Sequence, residues 1–462
     1  MTWRRWRKAA VWSAIVVGVL LRVAGAIVNT QANDDHLEVI RVLANERRIP
    51  APDEFWESFQ PPLYHMTVAA ALIARPSRSP GIDITIAQEI SCAAGLLTLF
   101  VLIVFIRRLE VSEANADLAI ALTSLNPALI STSIQATNDA FVILFVTVGL
   151  AAGYEYFRRG GTGAFVVMTV AVLLACVTKG NGLVLAIAVT ATFASTLLRP
   201  SSPRSRIAGH AAVFAVAFAL VVPVAGGYVA RHDTMGSAFA ISQPPAPPPE
   251  FFTEGAEKRP GIKSIVGGFF TFRLVNMLED PLIQVETERP SGETYPKHRT
   301  SMWSLLYGGT HSVHYAYFPP TWQLPPERAT WLVRLTLLCA LLPTLVLMIG
   351  VTRGGIDSVT RAFHATQRNW NADMMLVLTA TGHLAFVAVY GYRYRDFATM
   401  KAIFVCPAAL GFLTWFVREL ERPATGAYGF FMKAARASAW LLCMAYAVDV
   451  GALIYWLAVR AG

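Results

Sequence analysis

The sequence predicts an all-α polytopic membrane protein, and three observations lead there. Of 462 residues, 55% are hydrophobic and only 15% charged, a balance foreign to ordinary soluble domains. Apolar runs recur that approach the roughly 20 residues a helix needs to cross hydrocarbon. Basic residues gather at alternate ends of those runs, as the positive-inside rule requires. The formal charge of +9 is accounted for by those helix ends, so no nucleic-acid partner is expected.

The first run, 9–28, follows Trp3-Arg4-Arg5-Trp6-Arg7-Lys8. That start resembles a signal peptide, but no small-residue cleavage site precedes a soluble segment, so a retained first helix is expected. Further spans are expected at 86–106, 118–133, 140–156, 164–177, 182–198, 211–229, 332–349, 374–390, 402–416 and 437–459, about eleven in all. The surroundings of Pro127 and Gly180 are places where a helix could be broken. With a cytoplasmic amino terminus, Arg107, Arg108, Arg158, Arg159, Arg204, Arg206, Arg353, Arg361, Arg418, Arg422, Lys433 and Arg436 all lie on the inner side. Segments 29–85, 135–139, 230–331 and 391–399 then lie on the outer side. The expected organisation is a transmembrane module over 1–229 with a first outer loop at 29–85, then a long outer stretch over 230–331. A carboxy-terminal helical part follows over 332–462, without a soluble carboxy-terminal domain.

Unusual chemistry collects in the outer segments. Asp34-Asp35-His36 precedes Val39, Ile40, Val42 and Leu43, interleaved with Glu38, Arg41, Glu46, Arg47 and Arg48. This pattern predicts a short helix lying on the bundle at the interface. One aspartate near its start could be a cap; two in succession beside a span point to chemistry. In Gln60-Pro61-Pro62-Leu63-Tyr64-His65 the prolines end one helix and begin another stiffly, so 66–73 is expected as a second juxtamembrane helix. The long outer stretch opens on a proline-rich segment at 243–249, extended in character. Partial helices packed like a lid over the outer mouth are expected beyond it. No internal repeat of the transporter kind is visible. Cys92, Cys176, Cys339, Cys406 and Cys443 sit in or beside apolar segments with no metal-like spacing, and read as small buried hydrophobes.

Candidate chemistry falls into three groups. Asp34 and Asp35 supply a base for an acceptor hydroxyl, and Asp139, in Thr137-Asn138-Asp139 at the outer start of a span, is expected to face them unless it caps its helix. Lys179, Arg393, Arg395 and Lys401 are outer-side cations where cations are scarce. Each alone could snorkel to headgroups; together they form a clamp for a departing phosphate. His36, Gln60, Tyr64, His65 and His311 are candidates to orient a sugar or an acceptor. Histidines and aspartates could hold a divalent metal, but no compact ligand spacing supports one, and no cofactor is assigned. Arg22, Glu89, Arg334, His383 and Asp449 fall inside apolar segments, where pairing within the bundle or at headgroups is expected.

These motifs resemble the C-type membrane glycosyltransferase superfamily (GT-C), nearest to the bacterial relatives of protein mannosyltransferases and of the lipid A aminoarabinose transferase. Asp34-Asp35-His36 resembles its acidic motif, and Gln60-Pro61-Pro62-Leu63-Tyr64-His65 its His-Pro-Pro-Leu-like element, with Gln60 where histidine is common. Asn138-Asp139 resembles the further acidic position, Thr178-Lys179-Gly180 the lysine after paired helices, and Tyr394-Arg395-Asp396 with Lys401, Pro407 and Leu410 the late basic loop. The resemblance implies a GT-C-like bundle in a bacterial inner membrane. It also implies transfer of a sugar from a polyprenyl-phosphate donor, with inversion, to a glycan, lipid or protein hydroxyl on the periplasmic face. The alternative is a polytopic transporter or lipid-linked sugar flippase, whose carboxylates should recur along a path through the bundle rather than collect on one side.

Overall fold

A computed structural model describes residues 3–75, 81–198, 204–238, 262–282, 301–315, 322, 324–363, 370–394 and 401–461. Helix α1 (Trp3–Val28) leads through a loop to two short helices, α2 (Leu37–Asn45) and α3 (Leu63–Ala74). There follow α4 (Ile82–Arg108), α5 (Glu113–Leu125), α6 (Pro127–Ser133), α7 (Asp139–Arg159) and α8 (Thr162–Cys176). Next come α9 (Leu183–Leu197), α10 (Arg204–Ala225) and α11 (Tyr228–Met235). The long stretch contributes α12 (Ile262–Phe269), α13 (Leu274–Glu279) and α14 (Met302–His311). The series ends with α15 (Pro326–Phe363), α16 (Trp370–Tyr394), α17 (Ala409–Glu421) and α18 (Gly426–Ala461). No strand occurs among the described residues.

Among these residues eight helical segments are long and apolar enough to cross a membrane, and two shorter apolar helices, Leu63–Ala74 and Thr162–Cys176, accompany them. The protein is a multi-pass membrane protein; three of the expected runs, of about eleven, take another form among the described residues. The run 118–133 is broken into α5 and α6: Pro127 cannot donate to the helix before it, and the Asn126 side chain caps α6 by accepting from the Leu129 N–H at 3.0 Å. The run 164–177 yields a 15-residue helix. The run 402–416 yields two short 3-10 turns and the 13-residue α17. Apolar runs of this length mark core as readily as membrane, and α5 is buried at every position from Asn115 to Leu125.

Helices α7, α8 and α9 share one apolar core with α16, built on residues such as Val146, Met168, Leu185 and Met375. A second core joins α1, α5, α15, α17 and α18. The partial helices of the long stretch pack into this second core through Phe269, Met277, Leu305 and Leu306, which share it with Val333 and Leu337 of α15. Two of the costly charges inside apolar segments find partners close by. Arg22 donates through Nη1 to the Gly18 and Ser124 carbonyls at 2.9 and 2.8 Å, while Asp449 accepts from Ser312 and the Val313 N–H, both at 2.8 Å.

Four bonds fix the geometry at the site end of the bundle. Asn29 Nδ2 donates to the Ile134 carbonyl at 2.7 Å, and the Ala136 N–H to the Ala32 carbonyl at 3.0 Å. Gln88 Nε2 on α4 donates to the Gln31 carbonyl at 2.7 Å. The Leu63 N–H, which Pro62 leaves as the free start of α3, donates to the Val177 carbonyl at 3.1 Å. The loop after α1, the start of α3, the start of α7 and the turn after α8 are thereby drawn together. Helix α2 completes the packing by pressing Ile40 and Ala44 against Val68 and Ile86.

Candidate active site

The loop after α1 presents Asp34, and the turn into α7 presents Thr137 and Asp139. Thr137 Oγ1 lies 3.3 Å from Asp34 Oδ2 and 3.3 Å from Asp139 Oδ2. One hydroxyl therefore joins the two carboxylates. Lys179, extended before the turn into α9, donates to Asp139 Oδ2 at 2.8 Å with 11% of its side chain accessible. Its ammonium stands 5.3 Å from the centre of the Phe404 ring, which brings the segment just before α17 to the same place. Gly182 is required for this approach, since a Cβ there would sit 2.4 Å from the Ala175 carbonyl oxygen.

Behind Asp34 lies a buried imidazole pair. His36 Nε2 is 3.2 Å from Asp34 Oδ2, and His36 Nδ1 meets His65 Nε2 at 2.9 Å. Glu57 Oε2 lies 3.9 Å from His36 Nδ1. Burial pushes the Asp34 carboxyl up, but the facing His36 and the ammonium groups of Lys401 and Lys179 outweigh it, holding Asp34 well below the usual carboxylate range. Burial likewise disfavours charge on His36, yet Asp34 and Glu57 raise it above the ordinary histidine value. Burial, reinforced by the charge of His36, pushes His65 well down. Glu57 is pushed up chiefly by burial. Lys179 is raised despite burial, because Asp139, Glu57 and Asp34 surround it. The result is a charged Asp34–His36 pair beside the Lys179 ammonium that donates to Asp139.

Capping does not account for these aspartates. The cap position of α2 is His36, without a side-chain cap bond, and Asp34 Oδ1 accepts only from the adjacent Asp35 N–H, at 3.1 Å. Asn138 at the start of α7 makes no cap bond either.

Other expected site residues are distributed differently. Asp35 is exposed and outside the cluster. Gln60 is half-buried beside the prolines. Tyr64 is wholly buried, its hydroxyl 3.2 Å from the Ala87 carbonyl and from Ser91 Oγ; its ring packs edge-on to His36 and His65. Tyr64 and His65 therefore build the wall behind Asp34 rather than face an open cavity, which corrects the expectation of sugar contact for both. His36 is likewise enclosed. His311 is corrected as well: it bonds Tyr446 and, at 2.9 Å, Thr344 Oγ1, and lines a separate apolar cavity. Lys401 is exposed and acts on Asp34 by its charge. Arg393 falls at the end of α16 with its side chain outside the described residues, and Arg395 lies outside them altogether.

No local signal singles out Glu57, one of three acids in a turn-rich segment without periodicity. Glu54 there is taken up by Arg48 at 2.6 Å and Asp53 is exposed, so only the fold selects Glu57. Around the cluster, Glu57 Oε2, His65 Nδ1, Asp139 Oδ1 and both carboxamide atoms of Asn138 and Asn181 are buried without a hydrogen-bond partner. Buried polar groups are normally satisfied, so this concentration of unused donors and acceptors marks a site. Among the described residues no group of three or more His, Cys, Asp or Glu is placed to hold a metal ion.

The apolar cavity lined by His311 has a volume of about 410 Å³ and is walled by residues of α5, α14, α15, α17 and α18. Val405 and Cys406 line it too, directly after the Phe404 that covers Lys179. Leu345 and Met348 line it and keep much of their side-chain surface accessible.

Residues 79–231 match the family model described as dolichyl-phosphate-mannose-protein mannosyltransferase. That third of the chain includes Asp139 and Lys179, and the matched family is a GT-C family, the superfamily the motifs resemble. No curated protein matches the chain. Among solved structures the chain is similar to ArnT from Cupriavidus metallidurans bound to undecaprenyl phosphate, at 15% identity and a TM-score of 0.35, over 91% of this chain and 79% of that one.

Proposed function

We propose that this chain is an inverting glycosyltransferase that moves a sugar from a polyprenyl-phosphate donor to an acceptor hydroxyl at the extracytoplasmic face of a bacterial inner membrane. The observation that carries the reading is the continuous chain Asp34–Thr137–Asp139–Lys179. It sets a proton acceptor and a phosphate-binding cation side by side.

In this mechanism the acceptor O–H bond breaks as its proton passes to Asp34, and the freed oxygen attacks the anomeric carbon. The bond from that carbon to the phosphate oxygen breaks, and the electron pair leaves on the polyprenyl phosphate. Lys179 and Lys401 offset the charge that develops there. The low basicity of Asp34 suits a reaction in which bond breaking leads, because the acceptor then becomes acidic only as it attacks. His36, held by His65 and Glu57, positions Asp34. Asn138 and Asn181 hold unused hydrogen-bonding capacity beside Asp139 and Lys179, the property a hydroxyl-rich sugar requires. The apolar cavity suits a prenyl tail, since burying each CH₂ contributes about 0.8 kcal/mol.

The test is incubation of purified protein with a donor labelled in sugar and lipid. Release of polyprenyl phosphate together with a glycosylated acceptor supports transfer. Labelled donor that crosses a vesicle membrane with its sugar–phosphate bond intact identifies a carrier instead.

A further inference from the structure

Phe404 stands where the two lysines assigned to the leaving group meet, and α16 holds it there. Its ring centre is 5.3 Å from the Lys179 ammonium, within reach of a cation–π contact. Its N–H donates to the Lys401 carbonyl at 3.2 Å. One residue therefore faces one cation with its ring and is bonded to the backbone of the other. The Lys179 ammonium has three N–H donors; the bond to Asp139 uses one, and the ring covers another side. The directions left for a phosphate are narrowed accordingly.

Three side chains of α16 fix Phe404 in this place. His383 Nδ1 lies 2.9 Å from the Phe404 carbonyl oxygen; a carbonyl only accepts, so this nitrogen carries the proton and donates. Phe386 and Tyr390 stack on each other at 5.4 Å. Both set their rings nearly perpendicular to that of Phe404, at 6.1 and 5.9 Å. His383, Phe386 and Tyr390 follow the three- and four-residue spacing that puts side chains on one helix face. That face grips the backbone and the ring of Phe404 together. Packing alone does not call for the histidine. It is wholly buried in an apolar segment, where such a residue is costly, and its Nε2 has no hydrogen-bond partner. An apolar side chain would fill the space without stranding a nitrogen. What His383 adds is a donor for a carbonyl at the end of the short 3-10 turn Ala402–Phe404, in backbone that no regular helix satisfies.

We propose that His383 is a positioning residue for the donor phosphate: by holding Phe404 it sets where the Lys179 ammonium and the Lys401 segment meet that anion. This rests on the transfer reading, which names polyprenyl phosphate as the leaving group. His383 and Phe404 act through the two lysines and touch no reacting atom themselves.

Titration of the full-length protein in detergent with a polyprenyl monophosphate tests it, with turnover of the labelled sugar donor measured on the same preparations. His383→Leu and Phe404→Leu should each weaken binding by about tenfold. His383→Asn, whose amide nitrogen can stand in for Nδ1, should recover most of that loss, and His383→Gln, whose amide reaches the Nε2 position instead, should not. Phe404→Tyr, which keeps the ring, should likewise recover it. A purely structural role would not sort the variants by which nitrogen or ring they keep. Where His383→Leu fails to fold, the two Phe404 variants carry the test. Binding undiminished in the leucine variants, a loss as large in His383→Asn and Phe404→Tyr as in them, or no binding by the native protein overturns the proposal. Native turnover alongside undiminished binding in the variants leaves the transfer reading standing without it. The expected binding pattern without any cleavage of the sugar donor keeps the positioning role and removes the transfer reading.

Discussion

His36 Nδ1 and His65 Nε2 meet at 2.9 Å with both rings wholly buried. Two imidazoles so close share one proton between them, and the surroundings decide which ring carries charge. Asp34 and Glu57 favour the charge on His36, while burial and the charge of His36 keep His65 neutral. His36 thus gives Asp34 a fixed cationic neighbour in addition to the charges of Lys179 and Lys401.

This arrangement predicts the pH dependence of stability. His36 is raised in the folded chain above its ordinary 6.5, so its contribution is fully present below that value and is lost as pH rises through the folded pKa. Asp34 is depressed, so its contribution is present above the ordinary carboxylate value and is lost only as pH falls through the lower folded one. The unfolding midpoint should therefore fall as pH is raised beyond about 6.5, and His36→Asn should flatten that limb. Thermal scans across this range, compared between the two proteins, check it; equal slopes would remove His36 as the titrating group.

The adjacent aspartates should separate sharply. Asp34 is joined to Thr137 and faces His36, whereas Asp35 is exposed. Asp34→Asn is expected to lower turnover by about 10²–10⁴ while donor binding is kept, and Asp35→Asn to stay within a few-fold of the native protein. Initial rates with donor affinity measured in parallel decide this, and comparable losses in both variants would contradict it.

Much of this site was legible in the sequence because its parts are marked by local chemistry. Successive acids, a Pro-Pro step and a lone lysine next to glycines each stand out within a few residues. Between the adjacent aspartates the sequence favours Asp34 only slightly, with Asp35 left to anchor the short helix, since the two differ only in where the left-handed Asn33 turns the chain. Glu57 was hidden for a similar reason: its segment has no repeat that assigns a face, and cross-links from Asn29 and Leu63 set its orientation. Apolar runs such as 118–133 did not reveal whether they are spans or core helices, because the composition of a short span and of a core helix is the same.

The Asp139–Lys179 pair should behave as a buried ion pair. Only 5% and 11% of the two side chains are accessible, so removing one partner strands a charge. Lys179→Met is expected to destabilise the fold by roughly 3–5 kcal/mol. The double variant Lys179→Met with Asp139→Leu should recover most of that stability and none of the turnover. Denaturant unfolding and rate measurements on the same preparations test the two halves separately. A double variant as unstable as the single one would show that the pair is not the source of the loss.

The apolar cavity predicts a dependence on donor tail length. Leu345 lines it and is exposed, so a larger side chain there narrows the space open to a tail without overfilling the core. Leu345→Trp should raise KM for a long-chain polyprenyl donor by about tenfold, equivalent to roughly 1.4 kcal/mol, with kcat little changed. A donor shortened to one or two isoprene units should bind the native protein more weakly and be indifferent to the substitution, because its tail does not reach Leu345. Steady-state kinetics with the two donors on both proteins measures this. A loss of equal size for short and long donors would place the tail elsewhere on the bundle.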